Sequence, residues 1–126
     1  MLYAMLAYHV EGVITAMTPE EDVALMEGMH KVHGRLTDEG KLGPAARLGA
    51  TAKARTVQAG GTVLDGPFAE TKEALLGFYV LDCASMEEAV EAAKDLQKMN
   101  PSAVYELRPI PLYLPGVPFP VMEGEG

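Results

Sequence analysis

The 126-residue chain has one cysteine, Cys83, no tryptophan, and only five Tyr and three Phe. A single thiol excludes an internal disulfide and suits a reducing compartment, so a cytoplasmic setting is expected. With so few aromatics, core volume has to come from Leu, Val, Met and Ala. Long hydrophobic runs are also missing. The apolar start, Met1 to Met17, carries no basic n-region and is broken by His9 and Glu11, so it reads as strand and loop rather than as a leader, and no stretch approaches the length of a membrane span. Positive charge is scarce: ten Lys and Arg against 18 Asp and Glu leave a net charge of −8, which repels phosphate backbones and anionic membranes. Neither nucleic acid nor a membrane is an expected partner. Acids are absent in their turn from Lys41 to Leu64, where the only charges are Lys41, Arg47, Lys53 and Arg55. Solvated basic edges of a hairpin account for them, and an anion-steering rim is the sharper alternative.

What is present suits one domain. Leu2 to His9 is an apolar run of strand length. Thr18-Pro19-Glu20-Glu21 then supplies an N-cap, a first-position proline and a capping-box acid, and Leu25, Met29, Val32 and Leu36 follow at helical spacing. This predicts a helix over Pro19 to Glu39, closed by Gly40. Lys41 to Leu48 is a strand candidate interrupted by Gly43-Pro44, and Ala54 to Gln58 with Thr62 to Leu64 flank Ala59-Gly60-Gly61 as a hairpin would. Ala74 to Asp82 is a strand. Ser85 caps a second helix with Met86, Ala89, Val90, Ala93 and Leu96 on one face, stopped by Asn100-Pro101, and Val104 to Arg108 is the last strand. Glu70, Lys72 and Glu73 are expected to open a short helical turn, with Lys72 paired to an acid.

The order is that of an α+β, ferredoxin-like βαββαβ subunit with an extra hairpin, its two helices on one face of a four-stranded antiparallel sheet. The first and third main strands should be central. Both are apolar on both sides: Leu2, Leu6 and Tyr8 against Tyr3, Met5 and Ala7, and Leu75, Gly77, Tyr79 and Leu81 against Leu76, Phe78 and Val80. A sheet with one wet face would alternate apolar and polar. Two helices cover one face only, so a second copy of the chain is the expected cover for the other, giving a homodimer paired sheet to sheet as a barrel. The domain is expected over residues 1–109. Residues 110–126 form a proline-rich tail in which Leu112, Tyr113, Leu114, Val117, Phe119 and Val121 have no periodicity to bury them locally. Draping over the partner subunit and fraying are both open to it.

Asp65-Gly66-Pro67-Phe68 demands a sharp bend, because Pro67 forces Gly66 out of the helical region and Gly66 tolerates φ values closed to other residues. Asp65 would close such a bend as an Asx-turn, or sit as an acid at a cavity mouth. Asp65-Gly66-Pro67-Phe68-Ala69-Glu70-Thr71-Lys72-Glu73, followed by Leu75-Leu76-Gly77-Phe78-Tyr79, Met86-Glu87-Glu88-Ala89 and Glu106-Leu107-Arg108-Pro109, resembles the Asp-Gly-Pro-Phe (DGPF) branch of the YCII-related family, in order and spacing, from the first strand to Pro109. The resemblance implies a ferredoxin-like subunit in a dimeric α/β barrel. Some relatives resemble dehydrochlorinases and muconolactone isomerases, in which a His and an Asp near an inter-sheet cleft are suspected of acid/base work, and others occur beside sigma factors. Asp65 matches the motif Asp. The helix histidine of the relatives falls at Met29, next to His30.

Two functions follow as expectations. One is a small-molecule enzyme, an isomerase or lyase of dehydrochlorinase type, moving protons in an inter-sheet cleft with Asp65 and His33 or His30. The other is a non-catalytic ligand-binding or regulatory module using the same cleft. His33 shares a helix face with Met29 and Leu36, and a histidine oriented by a carboxylate suits proton abstraction beside a carbonyl. Arg55 would orient a small organic, anionic ligand, Phe68 would line the site, and Tyr79 would donate to a developing oxyanion or simply pack. Glu27, His30 and His33 lie at i, i+3 and i+6, but a fourth ligand is not visible and a solvated flank explains them, so no metal and no cofactor is expected. His9 is read as buried beside a helix and Cys83 as packing.

Overall fold

A computed structural model describes residues 1–119. Val121, grouped above with the apolar residues of the tail, lies outside them. The main sheet is four-stranded and antiparallel, in the order β2-β5-β1-β6, with β1 at Leu2–His9, β2 at Leu42–Arg47, β5 at Ala74–Asp82 and β6 at Val104–Pro109. Its central strands are the two that are apolar on both sides, as expected, and the fold is the ferredoxin-like α+β arrangement. Between β2 and β5 the hairpin forms a separate two-stranded sheet from β3 (Arg55–Val57) and β4 (Val63–Asp65). Gly60 and Gly61 turn it with φ of +92° and +95°.

Among the described residues there are three α-helices: α1 at Glu11–Thr15, α2 at Pro19–Asp38 and α3 at Met86–Met99. The α2 capping box is present in full, since Thr18 Oγ1 accepts from Glu21 N at 3.1 Å and Glu21 Oε1 accepts from Thr18 N at 2.9 Å. At the other end Lys41 N donates to Leu36 O and Gly40 N to Thr37 O, a Schellman closure that needs the left-handed Gly40 at φ +72°. Ser85 Oγ caps α3 by accepting from Glu88 N at 3.2 Å. The helix α1 is not foreseen in the sequence: it has five residues and no capping side chain, too little for a period to register. Residues 70–73 do not open a helical turn, and Lys72 makes no ion pair among the described residues. Thr71 and Glu73 lead straight into β5 instead. None of the described helices is long and apolar enough to cross a membrane.

One face of the sheet and the two long helices enclose the core. Tyr3, Met5 and Leu81 meet Met29, Val32 and Leu36 of α2 and Ala89, Ala92, Ala93 and Leu96 of α3. The alanines let α3 lie close to the strands, and Cys83 is buried among the same residues, where desolvation pushes its thiol pKa up. On the other face Leu2, Ala4, Leu6, Phe78 and Val80 stand half-buried or exposed, and neither long helix covers them. Strict alternation along β5 fails at one point. A register shift between Ala7 and Tyr8 sets Leu75 opposite Tyr8, while Leu76 turns to the helix side and lines the cavity described next.

Candidate functional site

A cavity of about 420 Å³ opens between the sheet, α2 and α1. That lies within the range of small-molecule sites. Its position differs from the expected inter-sheet cleft: it sits on the helix side of the sheet, inside one subunit. Leu25, Met26 and Met29 of α2, Ile14 of α1 and Leu76 of β5 give it apolar walls. Its polar groups are His9, Glu11, Thr15, His33, Arg47, Tyr79, Asn100 and Tyr105, together with the outer Tyr8.

His33 lies one helical turn beyond Met29, so its ring leaves α2 toward β5. There His33 Nε2 and Tyr79 Oη share a hydrogen bond of 2.8 Å, with ring centroids 5.4 Å apart. Burial lowers the pKa of His33, and His30, whose ring centroid is 6.0 Å away, lowers it further. Burial raises that of Tyr79, with the Arg47 guanidinium opposing. Both shifts favour a neutral imidazole beside a neutral phenol. Tyr105, on β6 opposite Ala7, is pushed up to about 12 by burial and then by Tyr79, so it too stays a phenol.

His9 is 4% exposed, which agrees with the buried position expected of it. Its Nδ1 lies 3.1 Å from Val10 O, and because a carbonyl only accepts, Nδ1 is the donor. His9, Ile14 and Asn100 also border a second, more open groove. Glu11 stands in the cavity lining. Its carboxylate accepts from Thr51 N at 2.9 Å and from Thr51 Oγ1 at 2.6 Å, tying α1 to the single 3-10 turn Thr51–Lys53, and these bonds lower its pKa.

Of the six residues singled out in the sequence, His33 and Tyr79 meet in this cavity. The others lie elsewhere in the subunit. Asp65 forms an ion pair with Arg55, Oδ1 to Nε 3.0 Å, at the base of the β3–β4 hairpin, and its side chain is 89% exposed. No histidine approaches it and no Asx-turn forms; Gly66 makes the bend with φ +96°, and its N donates to Ala54 O. Exposed on both sides, the Arg55–Asp65 pair contributes about 0–1 kcal/mol. Phe68 is 88% exposed, and His30 points away from the cavity that His33 enters. No group of three or more His, Cys, Asp or Glu among the described residues is arranged to hold a metal ion. Arg47, Glu11 and Tyr105 escaped the sequence reading as site residues. Only Arg47 left a trace there, as one of four cations in the acid-free stretch.

Residues 1–112 match the family model of the YCII-related domain. An uncharacterized protein of Rhizobium meliloti (strain 1021) is 52% identical over 120 residues, covering 92% of this chain and 97% of that protein. The chain belongs to the YCII-related family. The match takes in the whole sheet, all three helices and every residue of the cavity.

The histidine makes the stability of this YCII-related protein depend on pH. The folded-state pKa of His33 lies below the 6.5 of the free side chain. Its contribution is therefore complete above about pH 6.5 and is lost as the unfolded chain takes up a proton that the folded chain refuses. Between about pH 7.5 and about pH 5 the urea midpoint of the wild type should fall more steeply than that of His33→Gln. Parallel curves would mean that the ring is as freely protonated in the fold as in water.

Proposed function

We propose that this YCII-related protein binds a small organic molecule in the cavity between the sheet and α2, with the His33–Tyr79 pair as its polar contact. The observation that carries the reading is the 2.8 Å hydrogen bond between His33 Nε2 and Tyr79 Oη inside a cavity of about 420 Å³ whose walls are largely apolar. A neutral imidazole and phenol together offer one donor and one acceptor to a ligand oxygen. The apolar walls bury the rest of the molecule.

Proton transfer on the bound molecule is a second reading, favoured by the same pair. A phenol that donates to a developing oxyanion while the adjoining imidazole takes or returns a proton is a minimal acid/base device for isomerisation or elimination. The role first assigned to Asp65, Arg55 and Phe68 would then require a neighbouring subunit to bring the hairpin and the bend after it to the cavity, while His30, on the exposed side of α2, would have no part in it. We further propose that the open face of the sheet is covered by a second copy of the chain.

Calorimetry with phenol, acetophenone and cyclohexanone tests the binding reading. Tyr79→Phe should weaken the ligands that bind by about tenfold, the loss of one hydrogen bond of about 1–1.5 kcal/mol. Absence of binding by all three to the folded protein would remove the reading. Deuterium incorporation from D2O into the α-position of a bound ketone, abolished by His33→Gln, separates turnover from binding alone.

A further inference from the structure

The reading of the cavity as a ligand site gives no role to Arg47, an arginine exposed at the cavity's edge. It ends β2, opposite Gly77 of β5, and lines the cavity. No acid pairs with it among the described residues; the ion pairs there take up Arg35, Lys41, Arg55, Lys94, Lys98 and Arg108. Its side-chain contact is the Met26 thioether, Nη2 to Sδ 3.9 Å, which neutralises nothing. The other charged residue of the lining, Glu11, has both carboxylate oxygens engaged by Thr51 and does not turn to it.

We propose that Arg47 is a carboxylate anchor, so that the cavity takes a small monocarboxylate whose apolar body lies against Leu25, Met26, Met29 and Leu76 and whose far end meets His33 and Tyr79. The inference deepens the proposed binding function and rests on it. Lys31, Lys53 and Lys72 also have no ion pair among the described residues, but of these unpaired cations it is Arg47 that lines the cavity, and no acid occurs in sequence from Lys41 to Leu64. A planar guanidinium matches a carboxylate with two parallel N–H···O bonds. One such cation, with no second cation in the lining, suits a monoanion rather than a phosphate dianion.

The backbone is built for the placement. An added Cβ at Gly77 would stand 2.9 Å from Ala46 O and 3.7 Å from Arg47 Cα, so only glycine allows β2 to lie this close and hold the arginine at the rim. Arg47 also acts on the centre of the pocket, where its charge lowers the pKa of Tyr79 against the effect of burial.

The test is calorimetric binding of benzoate, cyclohexanecarboxylate and hexanoate, each beside its primary amide, to the full chain and to Arg47→Gln, Arg47→Lys and His33→Gln, with the fold of each variant checked by circular dichroism. In the wild type at least one acid should bind at least tenfold tighter than its amide. Arg47→Gln should bring that ratio to about one, Arg47→Lys should keep part of it, and His33→Gln should weaken acid and amide alike while keeping the ratio. Acids and amides binding equally to the wild type, or a preference that survives Arg47→Gln, would overturn the anchor and leave the cavity reading standing. Absence of binding by every acid and every amide to the folded protein would overturn both.

Discussion

Leu96→Ala should lower the free energy of unfolding by about 3 kcal/mol, within the 2–5 kcal/mol usual for a buried leucine. Leu96 has no exposed surface and lies on α3 with Ala89, Ala92 and Ala93, in the same core as Met5, Leu36 and Leu81. One turn back on the helix lie only the methyl groups of Ala92 and Ala93, and α3 faces the edge strand β6 and the central strand β1, which is hydrogen-bonded on both sides. Short alanines and a pinned central strand limit how far the walls can move in, so the cavity cost adds to the lost transfer energy. A domain of this size is stable by about 5–15 kcal/mol, which makes the loss a large share of the total. Urea denaturation followed by circular dichroism should show a lower midpoint with an unchanged slope. A loss under about 1 kcal/mol would mean that α3 settles onto the sheet without Leu96.

Leu6→Asp should turn the proposed dimer into a folded monomer. Leu6 stands at the middle of the open face, between Phe78 on β5 and Glu106 on β6, and its side chain is outside the core that holds the subunit together. Toward β6 the surface becomes polar, with Glu106 accepting from Tyr8 Oη at 3.3 Å and Arg108 4.0 Å from Glu106, so apolar centre and charged rim are arranged as in a subunit contact. In a two-fold assembly the substitution buries two unpaired carboxylates, and weakening by at least about a thousandfold is expected. Sedimentation should give twice 13.5 kDa for the wild type at micromolar concentration and 13.5 kDa for the variant, with the same circular dichroism spectrum. A wild type that sediments as a monomer would sink the assembly.

The sequence made the long elements legible because each carried several agreeing signals. Thr18, Pro19 and Glu21 mark the start of α2, Gly40 marks its end, and the buried Met29, Val32 and Leu36 give its period between them. The doubly apolar β1 and β5 located the centre of the sheet. A five-residue helix such as α1 carries no such redundancy. The site was legible only in part, for a physical reason. A motif that prescribes a bend, as Asp65-Gly66-Pro67 does, is visible along the chain whether or not its side chains face a cavity. A residue such as Arg47 comes to line the cavity through its partner across the ladder, Gly77, thirty positions away. The bulge at Ala7/Tyr8 is of the same kind: nothing in Leu75-Leu76 announces which leucine will turn inward.

Met26 and Met29 occupy the helix wall of the cavity. Thioether side chains are unbranched, polarisable and able to re-pack, so they adapt to a guest's outline more readily than leucine or phenylalanine would. A pocket upholstered in this way is a poor judge of shape. Discrimination among candidate guests would then fall to the guanidinium and the imidazole–phenol pair, and compounds of quite different contour but the same spacing of polar ends should compete for the same place.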